Sequence, residues 1–141
     1  MGIRILAICV FRNGNRILVR HGIDGADRSQ FFRPLGGGVE LGERTAEALT
    51  REIREETRHE IHSLELLGVL ENLFTFEGRH GHEIVFVFDA RFADPAAYEA
   101  SVPGTDDDGE HFEAEWLALS SFTGDRKLVP DGLLEMLCSD R

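Results

Sequence analysis

The sequence predicts a single α/β domain, on three observations. Short β-branched and aliphatic runs recur along the chain between glycine-bearing turns, and one segment, 43–59, switches to a helical period. Residues 84–88 (IVFVF) are apolar on both faces, as expected of a central strand covered on both sides. At 141 residues the chain has one domain's length. Such a chain buries somewhat under ~70% of its extended surface, enough for a core without disulfide or metal staples.

The elements follow in order. Residues 3–11 read as a strand ending at Asn13-Gly14, a dipeptide that tolerates positive φ and marks a hairpin, with 16–21 as the return strand. A polar loop is predicted over 22–29, and 31–35 as a short aromatic strand running into Gly36, Gly37 and Gly38. In 43–59, Ala46, Leu49 and Ile53 fall at i, i+3, i+7 and form one apolar stripe among Glu and Arg. Residues 64–76 and 83–92 read as strands around a turn at 77–81, then 95–109 as a long acidic loop. A strand at 115–119 and a helix over 130–137, with Pro130 in its first turn, complete the chain. The expected content is about five to seven strands and two or three helices, with no internal repeat.

Charge and composition exclude several functions. Fifteen Lys+Arg against 26 Asp+Glu leave a formal charge of −11. Polymeric nucleic acid needs a basic stripe that displaces phosphate counterions, and anionic membranes need basic clusters; neither is present. No apolar run approaches the ~20 residues of a membrane span, and no signal-peptide pattern opens the sequence, so a cytoplasmic address is expected. Cys9 and Cys138 show neither CxxC nor zinc spacing and read as buried free thiols.

The chemistry concentrates in 36–61. A glycine triplet suits a loop whose backbone approaches a ligand closely. Glu52, Glu55 and Glu56 lie at i, i+3, i+4, within an arc of about 100° on one helix face. Carboxylates held that close repel, and a divalent cation such as Mg²⁺ or Mn²⁺, which prefers hard oxygen ligands, removes the cost. The competing account is a solvated face laced with the i, i+4 pairs Glu47–Arg51 and Arg51–Glu55.

Joint spacing decides between them. Gly37, five residues, Glu43, seven residues, then Arg51-Glu52-Ile53-Arg54-Glu55-Glu56 resembles the signature of the Nudix hydrolases, G-x5-E-x7-R-E-U-x-E-E-x-G-U with U aliphatic. The box runs over 37–59 within a single domain, 1–141; Arg58 replaces the signature glycine and His59 the final aliphatic residue. A left-handed helix end is costly without glycine, on the order of 1 kcal/mol, so the helix terminus is where these departures matter.

The resemblance implies a mixed β-sheet sandwiched between α-helices (α/β/α). It also implies metal-dependent hydrolysis of a nucleoside diphosphate linked to another moiety, by water attack at phosphorus. Carried over residue by residue, Glu55 and Glu56 are principal metal ligands and Glu52 a third ligand or the general base. Arg51 orients the cluster, Glu43 secures the loop, and the backbone carbonyl of Gly36 or Gly37 is a main-chain ligand. A late-loop acid is expected too, Glu110 first, with Glu113 and 106–108 behind it.

For the substrate, Phe31 and Phe32 are candidate base-stacking residues, and Arg20, Arg33, Arg79 and His82 are candidates for phosphate or ribose. The expected cofactor is Mg²⁺, with Mn²⁺ as the substitute, and the expected partner a small nucleotide-type diphosphate. A homodimer is left open. The four prolines and the lone Tyr98 fall outside the positions that mark the ADP-ribose and dinucleoside polyphosphate branches. The alternative function is a catalytically silent Nudix-fold nucleotide-binding or sensor module.

Overall fold

The computed structural model describes residues 2–139. Strands β1 (Arg4–Val10), β2 (Arg12–Asn13), β3 (Arg16–Ile23), β4 (Gln30–Arg33) and β5 (Leu35–Gly38) precede helix α1 (Thr45–Thr57). Then come β6 (Ile61–Phe76), β7 (Arg79–Phe92), β8 (Val102–Thr105), β9 (His111–Ala118), β10 (Lys127–Leu128) and helix α2 (Leu133–Ser139). Short 3₁₀ turns stand at Pro95–Tyr98 and Leu119–Ser121.

Two sheets result. In the first, ordered β5-β1-β7-β6, β1 runs parallel to β7 and antiparallel to β5, so the sheet is mixed. The second runs β10-β4-β3-β9-β8, with β2 folded back on β3 through the expected Asn13-Gly14 hairpin. Strand alternation divides the core. Ala7 and Cys9 of β1, with Phe88 and Ala90 of β7, pack with Leu49 and Ile53 of α1. Ile8 and Val10, with Val85 and Val87, pack with Leu133 and Leu137 of α2. The helices therefore cover opposite faces of the first sheet, and the two-sided apolarity of 84–88 follows from its central place.

Several expectations change. The glycine triplet is not a loop: Gly36, Gly37 and Gly38 pair with Ile8, Ala7 and Leu6 as an edge strand. Gly36 has φ +150°, and a Cβ there would collide with the Ala7 backbone oxygen, so lacking a side chain is what lets this edge dock. The turn at 77–81 shrinks to Glu77-Gly78, because cross-strand pairing continues to Phe76↔Arg79. The acidic loop 95–109 contains a 3₁₀ turn and β8, which pairs with an early-starting β9. Pro130 does not open α2: Gly132 has φ +92°, incompatible with a right-handed helix, and the helix starts at Leu133. Cys9 is buried, whereas Cys138 is exposed, on the last turn of α2 away from the Leu133–Leu137 stripe.

The end of α1 resolves the two departures from the box. Arg58 adopts the left-handed conformation a glycine would take (φ 65°), and its N–H donates to the Arg54 carbonyl at 2.9 Å. His59 fills the aliphatic position with its ring, edge-on to Phe92 at 5.0 Å between centroids.

Candidate active site

Arg51 organises the site. Its Nε and Nη2 donate to the two carboxylate oxygens of Glu43 at 2.6 and 2.9 Å, a fork that fixes the guanidinium plane. Nη2 also reaches the Gly38 carbonyl at 3.1 Å, while Nη1 donates to Glu52 Oε2 at 3.1 Å and Glu55 Oε1 at 3.3 Å. One side chain thus ties β5, the loop before α1, and two box carboxylates. Glu43 accepts from the Glu40 N–H as well, and these bonds hold its carboxyl down at about 2. Glu47 serves elsewhere, accepting from the Arg44 N–H at the helix start, so the Glu47–Arg51 pair does not form.

Glu52 and Glu56 are only 5% and 8% exposed. Oε1 of each is buried without a hydrogen-bond partner, a costly arrangement for a charged group. Burial pushes the Glu56 carboxyl up to about 7, with the neighbouring Glu52 adding to it, and burial raises Glu52 too despite Arg51. Glu52 packs against Gly37: a Cβ at Gly37 would lie 2.6 and 2.7 Å from its two oxygens. The glycine therefore makes room for a carboxylate, which the sequence alone did not reveal.

Of the late-loop acids, the structure brings Asp107 beside box carboxylates. Oxygens of Glu52, Glu55 and Asp107 lie within 4.8 Å of one another, whereas Glu56 and Glu110 are outside this group. For Glu110 the reason is the β8–β9 hairpin. Its turn, closed by Asp106 N–H to the Glu110 carbonyl at 2.9 Å, places Asp107 at the tip and keeps Glu110 at the base. Asp106 in turn lies 3.5 Å from Arg20, whose guanidinium stacks 3.9 Å over Phe112. An Asp-Asp-Asp-Gly turn between two alternating strands was the available signal.

These groups face a cleft of about 1660 Å³ between the two sheets, lined among others by Gly36, Gly37, Glu52, Glu56, Asp107 and Arg33. Arg20 and Arg33 face one another as cross-strand neighbours on β3 and β4, an arrangement that repels without an anion between them. Both line the cleft, as does His82. Phe32 does not: it is 4% exposed and packs in the α2-side core against Phe122. Of the two candidate aromatics, strand alternation turns Phe31 toward the cleft.

A NUDIX domain family model matches residues 2–136. The chain belongs to the Nudix family. The Nudix fold is shared with several solved structures. A MutT NUDIX hydrolase from Burkholderia pseudomallei aligns at TM-score 0.68 and 19% identity, over 99% of this chain and 100% of that one. The E. coli ORF135 protein aligns at 0.65 and 21%, over 99% and 91%. A NUDIX hydrolase from Nitrosomonas europaea aligns at 0.60 and 18%, over 86% and 76%. As a Nudix enzyme the chain is a hydrolase acting on phosphorus-containing anhydrides, and Nudix hydrolases in general act on small nucleotide-type substrates. Nudix enzymes generally use divalent metals, and the unpartnered carboxylate oxygens at Glu52 and Glu56 suit that donor chemistry. Among the described residues no helix is long and apolar enough to cross a membrane.

Proposed function

We propose that this chain is a Mg²⁺-dependent pyrophosphohydrolase cleaving a nucleoside diphosphate linked to a further group. The observation that carries the reading is the pair of buried, unpartnered oxygens, Glu52 Oε1 and Glu56 Oε1, the first of these residues grouped within 4.8 Å of Glu55 and Asp107. A buried carboxylate oxygen left without a donor is costly to the fold, and a bound cation would supply the missing partner. Glu55, Glu56 and Asp107, with the main chain at Gly36, would hold the metal, with Glu52 next to them. When bound, a divalent ion neutralises diphosphate oxygens and lowers the pKa of a bound water.

The chain's own groups do the rest. Arg20 and Arg33 bind the phosphates, and their mutual repulsion falls when anionic oxygens lie between them. Water attacks one phosphorus, the bridging P–O bond breaks, and Glu52 accepts the water's proton. Its raised pKa suits that task, because a general base works best when its pKa approaches the working pH. Arg51 fixes the Glu52 carboxylate through Oε2, leaving Oε1 free to act.

The test is a panel of nucleoside di- and triphosphates and nucleotide sugars, with products read by mass. The expected result is release of nucleoside monophosphate or phosphate that EDTA abolishes and Mg²⁺ restores. Glu56→Gln is expected to lower kcat/KM by 10²-fold or more, on the scale of a lost electrostatic contact. Full activity in Glu56→Gln, or turnover indifferent to EDTA, overturns the reading.

A further inference from the structure

On the face it shares with Leu6 and Val85, the first sheet carries a polar row on an otherwise apolar wall. Register places Arg4 beside Glu83 across β1 and β7, and Glu83 beside Asn72 across β7 and β6. Cross-strand partners share a face, so the three side chains form one line across three strands. The row inward of it is Leu6, Val85 and Leu70; the row outward is Gly81 and Phe74. Arg4, Glu83 and Asn72 all line the catalytic cleft. An apolar wall with a few convergent polar groups is the usual build of a small-molecule site.

Beyond this row the two sheets touch. Phe31 of β4 meets Phe76 of β6 edge-on at 5.8 Å. The hairpin tip is tied to the opposite sheet by the Glu77 N–H, which donates to both Asp24 oxygens at 3.2 and 3.1 Å. Gly25 N–H answers with a 3.3 Å bond to Glu77 Oε2. Glu52 and Glu56 line the same cleft as the row, with Arg33 among its lining residues.

The hydrogen-bond sense of the row is determined by its chemistry. Glu83 as a carboxylate only accepts, so Asn72 must turn its amide nitrogen to it, as seen at 3.3 Å. Asn72 Oδ1 is then left as an acceptor, with no hydrogen bond among the described residues. Glu83 Oε2 is 3.9 Å from Arg4 Nη1, and the Arg4 side chain is 66% exposed, free to swing its donors to a ligand. The row therefore reads donor (Arg4), acceptor (Glu83), acceptor (Asn72).

We propose that Arg4, Glu83 and Asn72 read the Watson–Crick edge of guanine, making the preferred substrate a guanine nucleotide. Guanine presents acceptor O6, donor N1–H and donor N2–H₂, the complement of the row. Cytosine presents donor, acceptor, acceptor and fails against it in either direction. Adenine places its N1 acceptor against the Glu83 carboxylate. Uracil matches Arg4 and Glu83 but sets its O2 against Asn72 Oδ1. A mismatch leaves a buried acceptor unpaired, the condition under which polar sites discriminate strongly.

This inference rests on the hydrolase reading for the word substrate, but its test does not need turnover. Nucleoside monophosphates contain no anhydride, so equilibrium binding of GMP, IMP, AMP, CMP and UMP reports the row alone. GMP is expected to bind best, with IMP, which lacks N2, about tenfold weaker, the scale of one hydrogen bond to a buried acceptor. Asn72→Ala should erase the GMP–IMP difference, and Glu83→Gln should bring GMP to within a few-fold of AMP and CMP. Arg4→Ala, at an exposed side chain, tests the donor position without disturbing packing.

Unselective monophosphate binding by the native chain overturns the proposal, as does a GMP preference that survives all three substitutions. If GMP selectivity is present but no nucleotide of any base is turned over, the row stands and the hydrolase reading falls. If hydrolysis proceeds without base preference in kcat/KM or in binding, the reverse holds.

Discussion

Replacing Gly37 by alanine isolates the geometry of one carboxylate. The backbone at Gly37 lies outside the left-handed region, so alanine fits its conformation, and β5 is an edge strand whose pairing with Ala7 is made by the main chain. The new Cβ, however, would stand 2.6 and 2.7 Å from the Glu52 oxygens, where ordinary contact begins at 3.4 Å. Glu52 must retreat by on the order of 1 Å, and that stretches the 3.1 Å bond from Arg51 Nη1. Misplacement by ~1 Å at a reacting group costs about 10²-fold in rate. The expected outcome is kcat/KM down about 10²-fold at saturating Mg²⁺, with a thermal midpoint within a few degrees of the native chain. Gly36→Ala is the contrast. Its positive φ and its collision with the Ala7 backbone strain the fold itself, by on the order of 3 kcal/mol. Undiminished kcat/KM in Gly37→Ala would refute the placing of Glu52 as a group whose position governs the reaction.

Other perturbations probe the same network. Because burial raises Glu56 to about 7 from an ordinary 4.5, the metal-free native chain binds more protons than the unfolded chain between those values. Its stability should therefore fall as pH rises from about 4.5 to 7, by up to about 3 kcal/mol. Urea midpoints across that window check this, with Glu56→Gln flattening the slope and Mg²⁺ restoring stability at pH 8. Arg51→Lys keeps the charge but cannot reproduce the fork on Glu43 together with the bonds to Glu52, Glu55 and Gly38. A fall of about 10²-fold in kcat/KM is expected, and wild-type rates would sink the positioning role. Asp107→Asn should weaken Mg²⁺ activation about tenfold or more, while Glu110→Gln should leave the Mg²⁺ titration unchanged. The opposite ranking would mean that the hairpin turn presents Glu110 instead.

Much of this molecule was legible from local spacing. The α1 stripe of Ala46, Leu49 and Ile53, and the placing of Glu52, Glu55 and Glu56 on one face, depend only on 3.6 residues per turn and on order along the chain. Arg51's link to Glu55 is similarly local, and so is the Asn13-Gly14 hairpin. Tertiary structure decided what depends on register between distant segments. Phe31 and Phe32 are equivalent as adjacent aromatics; the pairing of β4 with β3 and β10 sends one to the cleft and the other into the core. Gly36–Gly38 read as a loop because glycine weakens isolated strands, yet docking against β1 supplies the missing partners. Asp107 reaches the box only through the β8–β9 turn, some fifty residues along the chain. The row of Arg4, Glu83 and Asn72 comes from three strands and has no sequence signature. Helical periodicity is a property of neighbours in sequence, whereas strand face and register are set by whichever partner the chain finds in space.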